Sequence, residues 1–295
     1  MQLQSKQPHI GTTIFTVMSK LANDHGALNL SQGFPNFECS PKLIELVEKY
    51  LRKGMNQYAP LSGIQPLREI IAQKTSDLYG ISYHPDQEVT IVSGATEALY
   101  AAITAVVQTG DEVILLEPNY DSYEPAVRLN GGIPVYVTLT PENNYQIDWS
   151  VVKAKITEKT KLILLNTPHN PTGTVMSKYD LEQLAAIVRD TNIFIVSDEV
   201  YEHIIFDGHD HWSPIRHPEL QKRTFVCGSF GKTFHVTGWK LGYAIAPVAL
   251  SAEFRKIHQY VTFASFTPAQ HAIADMLQQH PEQVAGLGGF YQQKR

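Results

Sequence analysis

Cysteine is scarce in this chain. Its 295 residues contain two, Cys39 and Cys227, which supply neither a disulfide framework nor the paired spacing of a zinc site and suit a reducing compartment. An excess of positive charge is missing too. Against 29 Asp and Glu stand 24 Lys and Arg, a net charge of -5 with no basic block, so nucleic acid is excluded as a partner. No apolar run approaches the length that spans a bilayer, which excludes a membrane protein. The polar stretch from Met1 to His9 lacks the apolar centre of a secretory signal. Twelve histidines form no HExxH pattern, and the densest group, His209-Asp210-His211, sits in a loop beside Gly208 and Trp212, so no metal is expected. These absences point to a soluble cytoplasmic protein. A hydrophobic content of 43% over this length is enough to bury a substantial core.

What is present begins with helices. Ile14 to Leu21 reads as a short one. Pro41 opens another, with Leu43, Ile44, Leu46, Val47 and Leu51 at helical spacing and Gly54 as its stop. A third carries Leu67, Ile70, Ile71 and Leu78 and ends at Gly80. The pattern then changes to alternation. Strands are expected at Val89–Val92, Val113–Leu116, Ile133–Leu139, Leu162–Leu165 and Ile193–Ser197. Helices are expected at Glu97–Val107, stopped by Gly110, and at Lys178–Arg189, with later ones at Ala252–Tyr260 and Pro268–Leu277. Strands separated by helices of this length imply a three-layer αβα domain with a mostly parallel sheet. Ligands of such sheets collect at the carboxyl ends of the strands. The polar clusters Ser93–Thr96, Glu117–Tyr120, Asn166–Asn170 and Asp198–Tyr201 all fall there.

The stretch from Ser229 to Lys240 lies between two further apolar runs, Thr224–Cys227 and Leu241–Ala246. It resembles the end of a phosphate-binding P-loop at Gly231-Lys232-Thr233, but Val226 stands where the first glycine is required. It also fails as a nucleophile elbow, because Cys227 replaces a glycine. A lysine among Phe230, Phe234 and Trp239 is expected to be desolvated, which lowers its pKa and frees a nucleophilic amine; the plainer alternative is a lysine on a turn. Ser93 to Thr96 opens a helix whose free N–H groups and dipole favour a phosphate, or is simply N-capped by Ser93 or Thr96. Ser229 and Lys240 add a hydroxyl and a cation suited to the same phosphate. Asp198 ends an apolar strand, where a buried carboxylate calls for a cationic partner such as a protonated ring nitrogen, unless it caps the next segment or pairs with a lysine. Tyr201 offers a phenol nearby. Asn170 is held between prolines and Gly173, and Tyr120 is placed either to stack on a ring or to pack the sheet edge. A lysine nucleophile, an aspartate for a pyridinium and donors for a phosphate together satisfy pyridoxal 5'-phosphate.

Over essentially its whole length the chain resembles the class I/II aminotransferases of pyridoxal-phosphate fold type I. The resemblance is carried by Ser229-Phe230-Gly231-Lys232 with Lys240, Ser197-Asp198-Glu199-Val200-Tyr201, Asn166 through Gly173, and Ser93 through Leu99. Gly11 to Phe15, Leu30-Ser31-Gln32-Gly33-Phe34-Pro35 and Glu117 to Tyr123 are similar to the methionine aminotransferases and kynurenine/glutamine transaminases within that family. The resemblance implies that Lys232 is the Schiff-base lysine and proton carrier, with Asp198 on the pyridine nitrogen and Tyr201 and Asn170 on the ring's 3-oxygen. It gives the phosphate to Ala95, Thr96, Ser229 and Lys240, ring stacking to Tyr120, and the substrate carboxylate to Gly33 and Asn170. Tyr58 would reach the phosphate of a neighbouring subunit, which implies a homodimer.

The expected reaction moves the amino group of methionine, aromatic or similar amino acids to a 2-oxo acid. A cysteine-S-conjugate β-lyase begins with the same Cα deprotonation and stays open at this point, as does a non-catalytic cofactor-binding dimer module. Residues 1–40 are expected to form an N-terminal arm and a contribution to a small domain. Residues 41–285 would be the large cofactor-binding domain, and residues 286–295 the start of a connection to a C-terminal small domain that this chain leaves incomplete. The resemblance implies that the arginine clamping the substrate carboxylate belongs to that small domain.

Overall fold

A computed structural model describes residues 3–31, 33, 35 and 37–295. Three helices come first: α1 (Ile14–Asp24), α2 (Pro41–Arg52) and α3 (Gln65–Tyr79), with Gly80 ending α3 in the left-handed region at φ 70°. The short α4 (Pro85–Glu88) leads into β1 (Val89–Val92), and α5 (Ala95–Val106) follows at once. The alternation continues through β2 (Glu112–Glu117), α6 (Tyr123–Leu129), β3 (Ile133–Thr138), α7 (Trp149–Ala154), β4 (Thr160–Asn166), α8 (Lys178–Val188), β5 (Phe194–Asp198) and α9 (Pro218–Gln221). Then come β6 (Thr224–Ser229), the single turn α10 (Phe230–Thr233), β7 (Gly242–Ile245), α11 (Val248–Val261), α12 (Thr267–Gln279), α13 (Glu282–Ala285) and α14 (Leu287–Lys294).

The seven strands form one sheet in the order β1-β7-β6-β5-β4-β2-β3. Pairings from β6 to β3 are parallel, while β7 runs antiparallel to both β6 and β1. Six strands therefore point the same way and β7 alone is reversed. Because side chains alternate across a strand, the apolar strands feed two faces at once. Val113, Leu115, Leu162, Leu164 and Val196 pack against α5, α6 and α11. Ile114, Leu116, Ile163, Leu165 and Ile195 face the other way, onto α7, α8 and α9. Beneath β1, β6 and β7 that second face is covered by α2, α3 and α12 through Leu43, Leu67 and Ile273. This is the expected three-layer αβα arrangement. Each fully buried Leu or Ile contributes about 1.5–3 kcal/mol, so these two faces supply most of the driving force.

Several boundaries differ from the expectation. Gly110 does not stop the helix before it; α5 ends at Val106, and Gly110 (φ 91°) instead makes the turn into β2. The crossover helices α6 and α7, of 7 and 6 residues, are too short to show a helical period in sequence. The stretch 286–295, expected as a connection, is largely helical: α14 runs through Gly288 and Gly289, with the buried Leu287 anchoring its first turn.

Candidate active site

The cavity that receives the sequence-derived residues lies at the carboxyl edge of the sheet and has a volume of about 570 Å³. Asp198 ends β5 and Asn166 ends β4, while Ser229 ends β6 one residue before the turn that carries Lys232. Ala95 and Thr96 follow β1, and Tyr120 follows β2. The reversed β7 brings its amino end to the same edge, and with it Leu241 and Lys240. Gly33, Asn170 and Tyr201 complete the wall. Gln32 and Phe34 of the loop motif lie outside the described residues. Of the residues assigned a role in the site from sequence, Tyr58 alone is absent from this wall: it is 81% exposed, its ring edge-on to Phe263. Within the motif from Gly11 to Phe15, Phe15 belongs to the wall, whereas Ile14 is 62% exposed and does not.

Asp198 sits at the floor, 3% exposed. Tyr123 Oη donates to its Oδ2 at 2.6 Å and the Val200 N–H to its Oδ1 at 3.3 Å. Burial drives its pKa up to about 6 in spite of these two bonds. A carboxylate so placed favours a cation in the cavity beside it. Lys232 is half-buried, and desolvation lowers its pKa, with the Asp198 charge opposing. Its ammonium lies over the Tyr201 ring, 5.5 Å from the centroid.

The expected aromatic shield around Lys232 takes a different form. Phe230 and Phe234 turn into the core beneath β6 and β7, and Trp239 packs against that same core. Residues two apart on a helical turn point about 200° apart, so neighbours at i-2 and i+2 cannot cover the lysine they flank. Tyr201 does so instead.

At the other end of the cavity, Gly94 precedes α5 with φ 80°, and no side chain caps the helix, so the proposed caps Ser93 and Thr96 do not serve. Neither the Ala95 nor the Thr96 N–H meets an acceptor among the described residues. Lys240 adopts φ 51°, and its Nζ reaches to 3.5 Å from Thr96 Oγ1. Gly242 permits this approach: a Cβ there would fall 2.5 Å from the Gly228 carbonyl and 3.0 Å from Ala95 N. Ser229 Oγ accepts from the Gly231 N–H at 3.1 Å, which leaves its proton free to donate. Unpaired helix N–H groups, an ammonium and a hydroxyl form an anion cradle.

Matching residues 26–294 is the family model for aminotransferase class I and II. The chain belongs to this family. It is a pyridoxal-phosphate-dependent aminotransferase, and the donor set agrees, since a buried acid, an amine and an anion cradle suit a pyridinium, an aldehyde and a phosphate. The chain is 52% identical over 292 residues to the methionine aminotransferase of Escherichia coli (strain K12), covering 99% of itself and 75% of that protein. It is 39% identical to the kynurenine–oxoglutarate transaminase of Dictyostelium discoideum, with 97% and 70% covered. Among solved structures, an Escherichia coli protein with a methionine aminotransferase function superposes with a TM-score of 0.96 at 51% identity, over 100% of this chain and 77% of that one. The aspartate aminotransferase of Thermus thermophilus gives 0.91 at 31% identity, over 99% and 77%.

Two aminotransferase-site residues carry more than sequence reasoning gave them. Tyr123 had no role beyond its place in the Glu117–Tyr123 resemblance, yet it is buried against Asp198 and makes that acid's shorter hydrogen bond. Asn166 braces two walls: its Nδ2 donates to the Asp198 carbonyl at 2.9 Å, and its Oδ1 accepts the Asn170 N–H at 2.6 Å. A larger cavity of about 800 Å³ adjoins the site and shares Asn170, Pro171 and Tyr201 with it, but holds neither Asp198 nor Lys232.

Proposed function

We propose that the chain transfers the amino group of methionine, aromatic or similar amino acids to a 2-oxo acid in a ping-pong cycle, with Lys232 and Asp198 as its catalytic pair. One observation carries this reading: Lys232 and Asp198 line the same cavity as the unpaired amino end of α5. Pyridoxal phosphate, when bound, supplies an electron sink for charge developing at the substrate Cα. Lys232 would hold it through the amine, Asp198 would keep its ring nitrogen charged, and Tyr201 and Asn170 would donate to its 3-oxygen. Ala95, Thr96, Ser229 and Lys240 would take the phosphate, and Tyr120 would lie against the ring. Gly33 and Asn170 would receive the substrate carboxylate. Lys232 Nζ, its pKa lowered by desolvation, carries the proton to and from the substrate Cα.

A homodimer is part of the same reading. Tyr58 at 81% and Tyr260 at 85% exposure, with the apolar side of α1, give a second copy a surface to cover. Tyr58 would then serve the neighbouring subunit's phosphate. The division into an N-terminal arm (1–40), a large domain (41–285) and a connection toward a small domain (286–295) is retained with it. No described helix is long and apolar enough to cross a membrane; a cytoplasmic location is proposed from the two free cysteines, which suit a reducing compartment.

Borohydride reduction followed by peptide mapping tests the assignment. Cofactor is expected on the peptide containing Lys232, and labelling elsewhere overturns it. Formation of 2-oxo acid from methionine, rather than pyruvate and ammonia from a cysteine S-conjugate, decides the reaction.

A further inference from the structure

Beneath the anion cradle lies a buried charged cluster that no part of the proposed reaction uses. Glu97, on the first turn of α5, is 7% exposed, and His258 of α11 is wholly buried. Glu97 Oε2 accepts the Ser93 N–H, and its Oε1 accepts from Thr262 Oγ1 and from His258 Nδ1, the last at 2.6 Å. His258 Nε2 meets the Leu61 carbonyl at 2.8 Å. A carbonyl and a carboxylate only accept, so both ring nitrogens are placed to donate, Nε2 to Leu61 and Nδ1 to Glu97. Burial works to raise the Glu97 pKa, but the bonds from His258, Thr262 and the Ser93 N–H hold it below the usual carboxylate range.

A buried pair of this kind adds little net stability but strongly penalises loss of either member. Its geometric effect is specific. Glu97 grips the backbone at Ser93, immediately before Gly94 and the unpaired N–H groups of Ala95 and Thr96, and His258 ties Glu97 to the loop that follows Tyr58. We infer that Glu97 and His258 are positioning residues for the phosphate cradle, holding the Ser93–Gly94 backbone so that the Ala95 and Thr96 N–H groups converge on one anion. This rests on the proposed assignment of that cradle to the cofactor phosphate.

The test compares binding of pyridoxal 5'-phosphate with binding of pyridoxal, which lacks the phosphate, to the cofactor-stripped 295-residue chain. His258→Gln keeps a donor near Leu61 and loses the one to Glu97, whereas His258→Asn keeps the donor to Glu97. Glu97→Gln removes the charge and sets an amide donor either against the Ser93 N–H or against His258 Nδ1. His258→Gln and Glu97→Gln are expected to weaken pyridoxal phosphate binding about tenfold, the weight of one buried charged hydrogen bond. Pyridoxal affinity should be preserved, and His258→Asn should restore most of the loss. Equal weakening of both ligands, no weakening at all, or no difference between His258→Asn and His258→Gln overturns the inference. Should the histidine variants fail to fold, Thr262→Val removes one donor to Glu97 and should show the same selective loss in smaller degree; its absence overturns the inference equally. A wild-type chain that does not prefer pyridoxal phosphate to pyridoxal would instead overturn the cradle assignment itself.

Discussion

Asp198 and Glu202 stand four positions apart in one segment, both carboxylates buried, and their surroundings treat them in opposite ways. Glu202 accepts from Lys74 Nζ at 2.6 Å, from Tyr79 Oη at 3.1 Å and from Tyr243 Oη. Burial would raise its pKa, but the Lys74 charge and the bonds from Lys74 and Tyr243 hold it far below the usual carboxylate range. Asp198 has a phenol, a peptide N–H and no ion pair among the described residues, and burial leaves its pKa raised to about 6. The difference separates a carboxylate finished by the fold from one the fold leaves incomplete. Structural charge is neutralised within the chain. Functional charge waits for a ligand.

The comparison can be broken most severely at the amine it serves. Lys232→Ala removes the proton carrier, and transamination is expected to fall by about 10²–10⁴-fold in steady-state assays, the usual worth of a positioned acid–base group. Exchanging charges for amides comes next. Glu202→Gln leaves Lys74 facing a neutral group, and urea unfolding should show a loss of about 3 kcal/mol. Asp198→Asn should reduce activity strongly while leaving the cofactor-free chain as stable as wild type or more so, since a buried uncompensated charge is removed.

The pH dependence sharpens the contrast. The folded pKa of Asp198 lies above the unfolded value of about 3.9, so the folded chain holds the extra proton between about pH 4 and 6 and loses stability as pH rises through that window. At neutral pH the deficit relative to Asp198→Asn should be about 3 kcal/mol in cofactor-free protein, and near zero at about pH 4. Glu202 runs the other way: its stabilisation is present above its unfolded pKa and fades as pH falls below it. The smallest expected effect is Tyr243→Phe, which removes one donor from Glu202 and should cost about 1 kcal/mol by chemical denaturation.

Much of this was legible in sequence, for physical reasons. The strands are continuous apolar runs because both faces are covered, and polar residues at their carboxyl ends stood out against them. Lys232, Asp198 and the start of α5 were readable on those grounds. Tyr123 was not, because a buried phenol on a short crossover helix has the same pattern as a packing residue until its partner is known. The pairing of Glu97 with His258 spans 161 positions, and nothing local marks it. The shield over Lys232 was misassigned because flanking aromatics were read by nearness in sequence, whereas a helical turn sends them to the opposite side. The reversal of β7 lay outside local reading as well, since direction is fixed by what a strand pairs with.

That reversal has a practical consequence. Every other strand exits toward the cofactor edge, and β7 departs from it, so the chain between Phe230 and Leu241 never crosses the sheet. Both lysines of the site, Lys232 and Lys240, are delivered by this one bend. An insertion within it would displace both cations together, while a comparable insertion after β2 or β4 would disturb one wall and spare the rest.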